Sequence, residues 1–183
     1  MNKIAVKKIE DAQRIHATVL NLSSLDLEKI PKEILALKEL TSLDLSDNQI
    51  KNIVILSQLK ELNKLSLASN KIKNISVLSK LTKLRELNLF NNRINDITPL
   101  LKLYHLNRLY LGANSLKNIR ALEEKTCLTY LDIGKNNKIY RIWFKKNALW
   151  CVLICLSMAV WIIFDLNYVV TFDIYHHREI HHR

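Results

Sequence analysis

Glycine and proline are almost missing from this chain of 183 residues, which has two glycines, Gly112 and Gly134, and two prolines, Pro31 and Pro99. Loops that cradle phosphate need closely spaced glycines, so P-loop and dinucleotide-binding turns are excluded, as are collagen-like and linker-rich designs. Three cysteines, Cys127, Cys151 and Cys155, form neither a CxxC pair nor an even framework. That argues against a disulfide scaffold and fits a reducing compartment. The first twenty residues carry Lys3, Lys7, Lys8, Glu10, Asp11 and Arg14 and no apolar run. No cleavable signal peptide is therefore expected, and the N-terminal part is expected to stay on the cytoplasmic side. What is abundant is apolar side chain, 49% of residues, enough for a substantial core.

Those apolar residues recur with a period. Leu40, Leu43, Leu45, Asn48 and Ile50 return 22 residues later as Leu62, Leu65, Leu67, Asn70 and Ile72, then as Leu84, Leu87, Leu89, Asn92 and Ile94. The series continues with Leu106, Leu109, Leu111, Asn114 and Leu116, and with Leu128, Leu131, Ile133 and Asn136, where Lys138 takes the last apolar position. Within each copy two leucines flank one polar residue, the alternation of a strand with one buried face. Between strands the apolar period is three, as in Ile50, Ile53, Leu56, Leu59 and Leu62, which is tighter than an α-helix and predicts 3₁₀ turns and extended segments. The asparagines at fixed pitch are expected to form a buried ladder bonded to backbone groups that the turns leave unpaired.

This pattern, LxxLxLxxNxL, resembles the leucine-rich repeat, in the short class found in bacterial internalin-like proteins and in eukaryotic protein-phosphatase regulators. The resemblance covers residues 18–140. It implies an α/β fold: a right-handed solenoid with a parallel concave sheet and a 3₁₀ and extended convex side. The ends depart from the pattern, as the ends of a solenoid must. Leu20, Leu22, Leu25, Leu27 and Ile30 form an atypical first repeat, and Ile4, Ile9, Ala12 and Ile15 predict a capping helix within residues 1–17. Lys125 stands where a leucine is expected, so the regular coil is expected to decay there.

Composition changes abruptly after residue 140. A basic linker, 141–147, leads into seventeen uncharged residues, 148–164, about the minimum for crossing a bilayer. A transmembrane helix over 148–170 is expected, followed by a His-rich tail, 171–183. Lys135, Lys138, Arg141, Lys145 and Lys146 precede the segment and only Arg178 and Arg183 follow, which places the repeats in the cytoplasm. The alternative is that the segment folds back as a helical cap on the last repeat.

In the repeat fold the residues between strand leucines point to the concave face, where solenoids commonly bind. Phe90, Tyr110 and Tyr130 occupy the third, second and first such positions on successive strands, so they are expected on a diagonal flanked by Arg85, Glu86, Arg108 and Asp132, with Lys64 nearby. Aromatics beside arginines have hot-spot character. These eight residues are the candidate protein-binding site. Net charge is +11, and residues 1–140 hold 23 Lys and Arg against 14 Asp and Glu, so most of the excess belongs to the repeats. The charges are spread through turns without a nucleic-acid module, which favours attraction to an anionic membrane over nucleic acid.

No catalytic, cofactor or metal constellation is legible. His16 and His105 stand alone, and His177 with His181 would share a helical face only if the tail were helical. Asn74-Ile75-Ser76 is a glycosylation sequon that matters only in a lumen. The functional expectation is a non-catalytic protein–protein adaptor, tethered to a membrane as a single-pass protein. The alternatives are a soluble internalin-like binding protein or effector, and, by family analogy alone, a regulatory subunit of an enzyme such as a phosphatase.

Overall fold

The structure is a computed structural model and describes residues 2–122, 125, 127–136 and 170–171. Six three-residue strands, β1 (Val19–Asn21), β2 (Ser42–Asp44), β3 (Lys64–Ser66), β4 (Glu86–Asn88), β5 (Arg108–Tyr110) and β6 (Tyr130–Asp132), lie side by side in chain order, all parallel. The register sets like on like: Leu43 opposes Leu65, Leu65 opposes Leu87 and Leu87 opposes Leu109. Each coil therefore stacks its central leucine on the same leucine of the next, and one continuous core runs the length of the solenoid. Leu45, Leu67, Leu89 and Leu111 are fully buried. Burial of one such side chain contributes about 1.5–3 kcal/mol.

The return path follows the period of three. Short 3₁₀ helices span Lys32–Ala36, Val54–Gln58, Ser76–Lys80, Thr98–Lys102 and Arg120–Leu122. In the second of these coils the N–H groups of Leu56, Leu59 and Leu62 donate in turn to the carbonyls of Ile53, Leu56 and Leu59. Three residues per turn puts all four side chains on one inward face, and all are at most 1% exposed.

Three residues beyond each of β2 to β6 the chain passes through the left-handed region, at Asp47, Ser69, Asn91, Ala113 and Lys135, with φ between 52° and 54°. The ladder asparagine follows at once. Asn70 donates through Nδ2 to the carbonyls of Leu45, Leu67 and Ala68 at 2.9–3.1 Å and accepts from the Ile50 N–H at 2.9 Å. Asn48, Asn92 and Asn114 repeat this arrangement and are buried, while Asn136 repeats it half-buried at the last coil.

Helix α1 (Lys3–Arg14) covers the first coil, its N-terminus capped by Asn2, whose Oδ1 accepts from the N–H groups of Ile4 and Ala5. Its buried face is Ala5, Ile9 and Ala12, whereas Ile4 and Ile15 are 60% and 71% exposed. The reading that put Ile4 and Ile15 on the covering face is corrected. Small alanines allow the helix backbone to approach the coil, and spacings of four and three keep Ala5, Ile9 and Ala12 on one side.

Lys125 also differs from expectation. Its N–H donates to the Leu122 carbonyl as Leu103 donates to Leu100, so the coil closes without the leucine. Its ammonium turns back to the carbonyls of Leu101 and Leu103 at 2.8 and 3.0 Å, and lies 5.1 Å from the Tyr104 ring centroid. A lysine there supplies donors to carbonyls at the end of the preceding 3₁₀ turn.

A two-residue strand, β7 (Val170–Thr171), pairs antiparallel with β6, Val170 opposite Leu131. The helix expected over 148–170 therefore cannot include Val170, whose backbone is extended. Among the described residues no helix is long and apolar enough to cross a membrane. The linker 141–147, residues 148–169 and the tail residues 172–183 lie outside the described residues.

Candidate functional site

The strands turn two residues each to the concave side, one on either side of the inward leucine. Because neighbouring strands are in register, the outward residues form rows across the sheet. Lys64, Glu86, Arg108 and Tyr130 make one row, and Ser66, Asn88, Tyr110 and Asp132 make the next. A third row beyond the strands holds Ala68, Phe90, Gly112 and Gly134.

Tyr110 and Tyr130, one row apart on adjacent strands, pack with ring centroids 4.7 Å apart and planes tilted by 39°. The Arg108 guanidinium lies 5.8 Å from the Tyr130 centroid and donates from Nη2 to the Tyr110 hydroxyl at 3.2 Å. The three side chains thus hold one another, and Arg108 remains exposed. The bond to Tyr110 and the nearby Glu86 raise the Arg108 pKa above its ordinary value. Burial, and then the Asp132 carboxylate, raise that of Tyr130 above its ordinary value. Offset rings beside a guanidinium present apolar area, hydrogen-bond donors and positive charge on rigid strands, the chemistry of an interface anchor.

Other expected members are placed differently. Lys64 and Glu86 form an ion pair at 3.0 Å across β3 and β4. Partly open to solvent, this pair is worth about 0–1 kcal/mol. Arg85 is exposed just before β4, and its carbonyl accepts from the N–H groups of Asn107 and Arg108. Phe90 is 36% exposed and does not extend the tyrosine stack as a third ring. Its ring leans over Gly112, where an added Cβ would stand 3.0 Å from Phe90 Cδ2 and 2.7 Å from Asp132 Oδ2. Asp132 is only 8% exposed, and its Oδ1 accepts from the Gly134 N–H at 2.9 Å. The expected diagonal therefore divides into a Tyr110–Tyr130–Arg108 cluster and a Phe90–Gly112–Asp132 cluster.

Asp132 belongs to a series that the sequence reading overlooked. Asn21, Asp44, Asn88 and Asp132 each accept, through a side-chain oxygen, the N–H two residues onward, at Ser23, Ser46, Phe90 and Gly134. These are Asx turns that carry the chain out of the strand. The signal was present as Asn or Asp at the last position of these four strands. Both glycines of the chain occupy one position of successive coils.

A profile for leucine-rich repeats, taken as two copies, matches residues 38–80 and 60–102. No curated protein sequence matches the chain. Among solved structures it is similar to an internalin, inlF, of Listeria monocytogenes, with 30% identity over 69% of this chain and 37% of the other, at a TM-score of 0.64. Internalin C2 of the same organism gives 30% identity, 74% and 66% coverage, and a TM-score of 0.69. A leucine-rich-repeat protein of Leptospira interrogans gives 32% identity, 68% and 34% coverage, and a TM-score of 0.63. The chain thus spans from about a third to two thirds of the length of these structures. With repeat, register and profile in agreement, the chain is a leucine-rich-repeat protein.

Proposed function

We propose that the chain is a non-catalytic scaffold that binds a protein partner on its concave face, with Tyr110, Tyr130 and Arg108 as anchors. The observation that carries this is the mutual packing of those three side chains on adjacent strands. Side chains ordered before binding lose little entropy on binding, which converts contact area into affinity. The test is affinity capture with the full chain and with a Tyr110→Ala, Tyr130→Ala, Arg108→Ala variant, beside a control variant altered on the convex side at Lys80 and Lys102. A partner held by wild type and control but lost from the concave variant supports the reading. Equal capture by all three contradicts it.

The proposal includes tethering of this scaffold to a membrane as a single-pass protein with the repeats in the cytoplasm. The seventeen uncharged residues 148–164 and the basic residues before them support it. A second reading, in which the C-terminal segment returns to the solenoid as a cap, is favoured by the pairing of Val170 with Leu131. The two exclude each other, because a span across about 30 Å of hydrocarbon would put Val170 on the far side from β6. Carbonate extraction of membranes from cells making the full chain separates them. Retention in the extracted membrane supports the tether, and release supports the cap.

A further inference from the structure

The two flanks of the solenoid use charge differently. On the flank after the first three 3₁₀ helices, basic and acidic residues are mixed: Lys38 beside Glu39, Lys60 beside Glu61, and Lys83 ion-paired to Glu61. The flank around the ladder asparagines carries Lys51, Lys71, Lys73, Arg93, Lys117 and Lys135. Ile50, Ile72, Ile94 and Leu116 there are fully buried, so the residues on either side of each face outward. Backbone bonds from the Lys71 N–H to Ile50, from Arg93 to Ile72 and from Ser115 to Ile94 keep these positions in register. Adjacent coils stand about 4.8 Å apart, so the cations form a continuous ridge. Lys71 donates to Gln49 of the preceding coil at 2.8 Å. Among the described residues, Lys51, Lys73, Arg93, Lys117 and Lys135 have no ion-pair partner.

The ridge is polarised along the solenoid. Asp26 and Glu28 occupy its positions in the first coil, and Asp47 follows in the second. Beyond Asp47, among the described residues, only Asp96 interrupts it, and that carboxylate accepts from the Thr98 N–H. Net positive charge on this flank therefore lies beyond the second coil, and the sequence adds Lys138, Arg141, Lys145 and Lys146 before the uncharged segment.

We propose that this ladder-side flank seats the solenoid on an anionic lipid surface. Charge complementarity chooses an anionic occupant, and two features choose lipid over nucleic acid. The ridge is five lysines and one arginine, compact point charges suited to diffuse headgroup attraction and not to bidentate base or phosphate recognition. Among the described residues it also lacks aromatic platforms for stacking bases, since Phe90, Tyr110 and Tyr130 are on the concave side and Tyr104 is on the opposite flank. Seated this way, the concave face stays open at the side. Insertion of residues 148–164 would add affinity on neutral and anionic bilayers alike, so the difference between the two surfaces reports the ridge.

The test is sedimentation of the full chain with phosphatidylcholine vesicles and with mixed phosphatidylserine–phosphatidylcholine vesicles near physiological salt. The variants are Lys73→Gln, Arg93→Gln, Lys117→Gln together, and a control of equal net charge, Lys38→Gln, Lys60→Gln, Lys80→Gln. Each cation near such a surface is worth roughly fivefold in partitioning, so the ridge variant should lose about a hundredfold on anionic vesicles and nothing on neutral ones, with the control near wild type. Equal binding to both vesicles, or equal loss in both variants, overturns the proposal. So does a duplex or single-stranded nucleic acid that binds with the same dependence on the ridge while vesicles do not.

Discussion

Gly112 faces Asp132 so closely that a Cβ on the glycine would stand 2.7 Å from the Asp132 carboxylate, which the Gly134 N–H holds in place. The missing side chain is thus what lets the buried acid and the Phe90 ring share one spot. Gly112→Ala should destabilise the protein by about 1–3 kcal/mol through overpacking. In the double variant with Asp132→Ala the cost of the added methyl should shrink, because the clashing oxygens are gone. Urea unfolding of the four species measures this, and strictly additive effects would contradict the contact.

Asn92 tests the ladder. Its amide donates to the carbonyls of Leu67, Leu89 and Phe90 and accepts from the Ile72 N–H, all near the core. Asn92→Ala should cost about 3 kcal/mol or more, since each buried group left unpaired costs about 1–3 kcal/mol. Asn136→Ala, at a half-buried position, should cost clearly less. Equal midpoint shifts in thermal unfolding would count against a buried ladder.

Ala113 pays a backbone cost that a glycine would avoid. Its φ is 54°, in the left-handed region where a Cβ is strained by about 1–2 kcal/mol. Set against the extra freedom of glycine in the unfolded chain, Ala113→Gly should stabilise by about 0.5–1 kcal/mol. A fall in stability would show that the strain is absent.

The Asp96 pKa is lowered by hydrogen bonds from the Thr98 side chain and backbone. A depressed carboxyl contributes stability that is present above its unfolded value and is lost as pH falls through the folded one. Asn52 and Asn74 make the same turn bond, to the N–H groups of Val54 and Ser76, without a titrating group. Asp96→Asn should therefore leave stability at neutral pH nearly unchanged and flatten its decline below about pH 4. Chemical unfolding at pH 7 and pH 3 checks it, and an unchanged acid decline contradicts it.

The solenoid was legible because its core is linear in sequence: each coil buries the same positions, so Leu43, Leu65 and Leu87 announce their own stacking. Register also made neighbours legible across strands, as for Tyr110 and Tyr130. What stayed hidden depends on exceptions to the repeat. Phe90 and Asp132 meet over Gly112 because a side chain is missing there, a fact about volume that periodicity does not encode. Lys125 keeps the coil closed by hydrogen bonding where leucine would do so by packing. Ala5 is fully buried in α1 while the larger Ile4 is exposed, since close approach selects small residues that carry little hydrophobic signal.

The concave anchors are tested most directly by tyrosine-selective chemical labelling of the full chain, with and without its captured partner, read residue by residue. Tyr104, 71% exposed on the opposite flank, is the internal reference. Binding through the concave face predicts that Tyr110 and Tyr130 become protected while Tyr104 remains as reactive as before. Unchanged labelling of Tyr110 and Tyr130 in a saturated complex, or protection of Tyr104 alone, would contradict it.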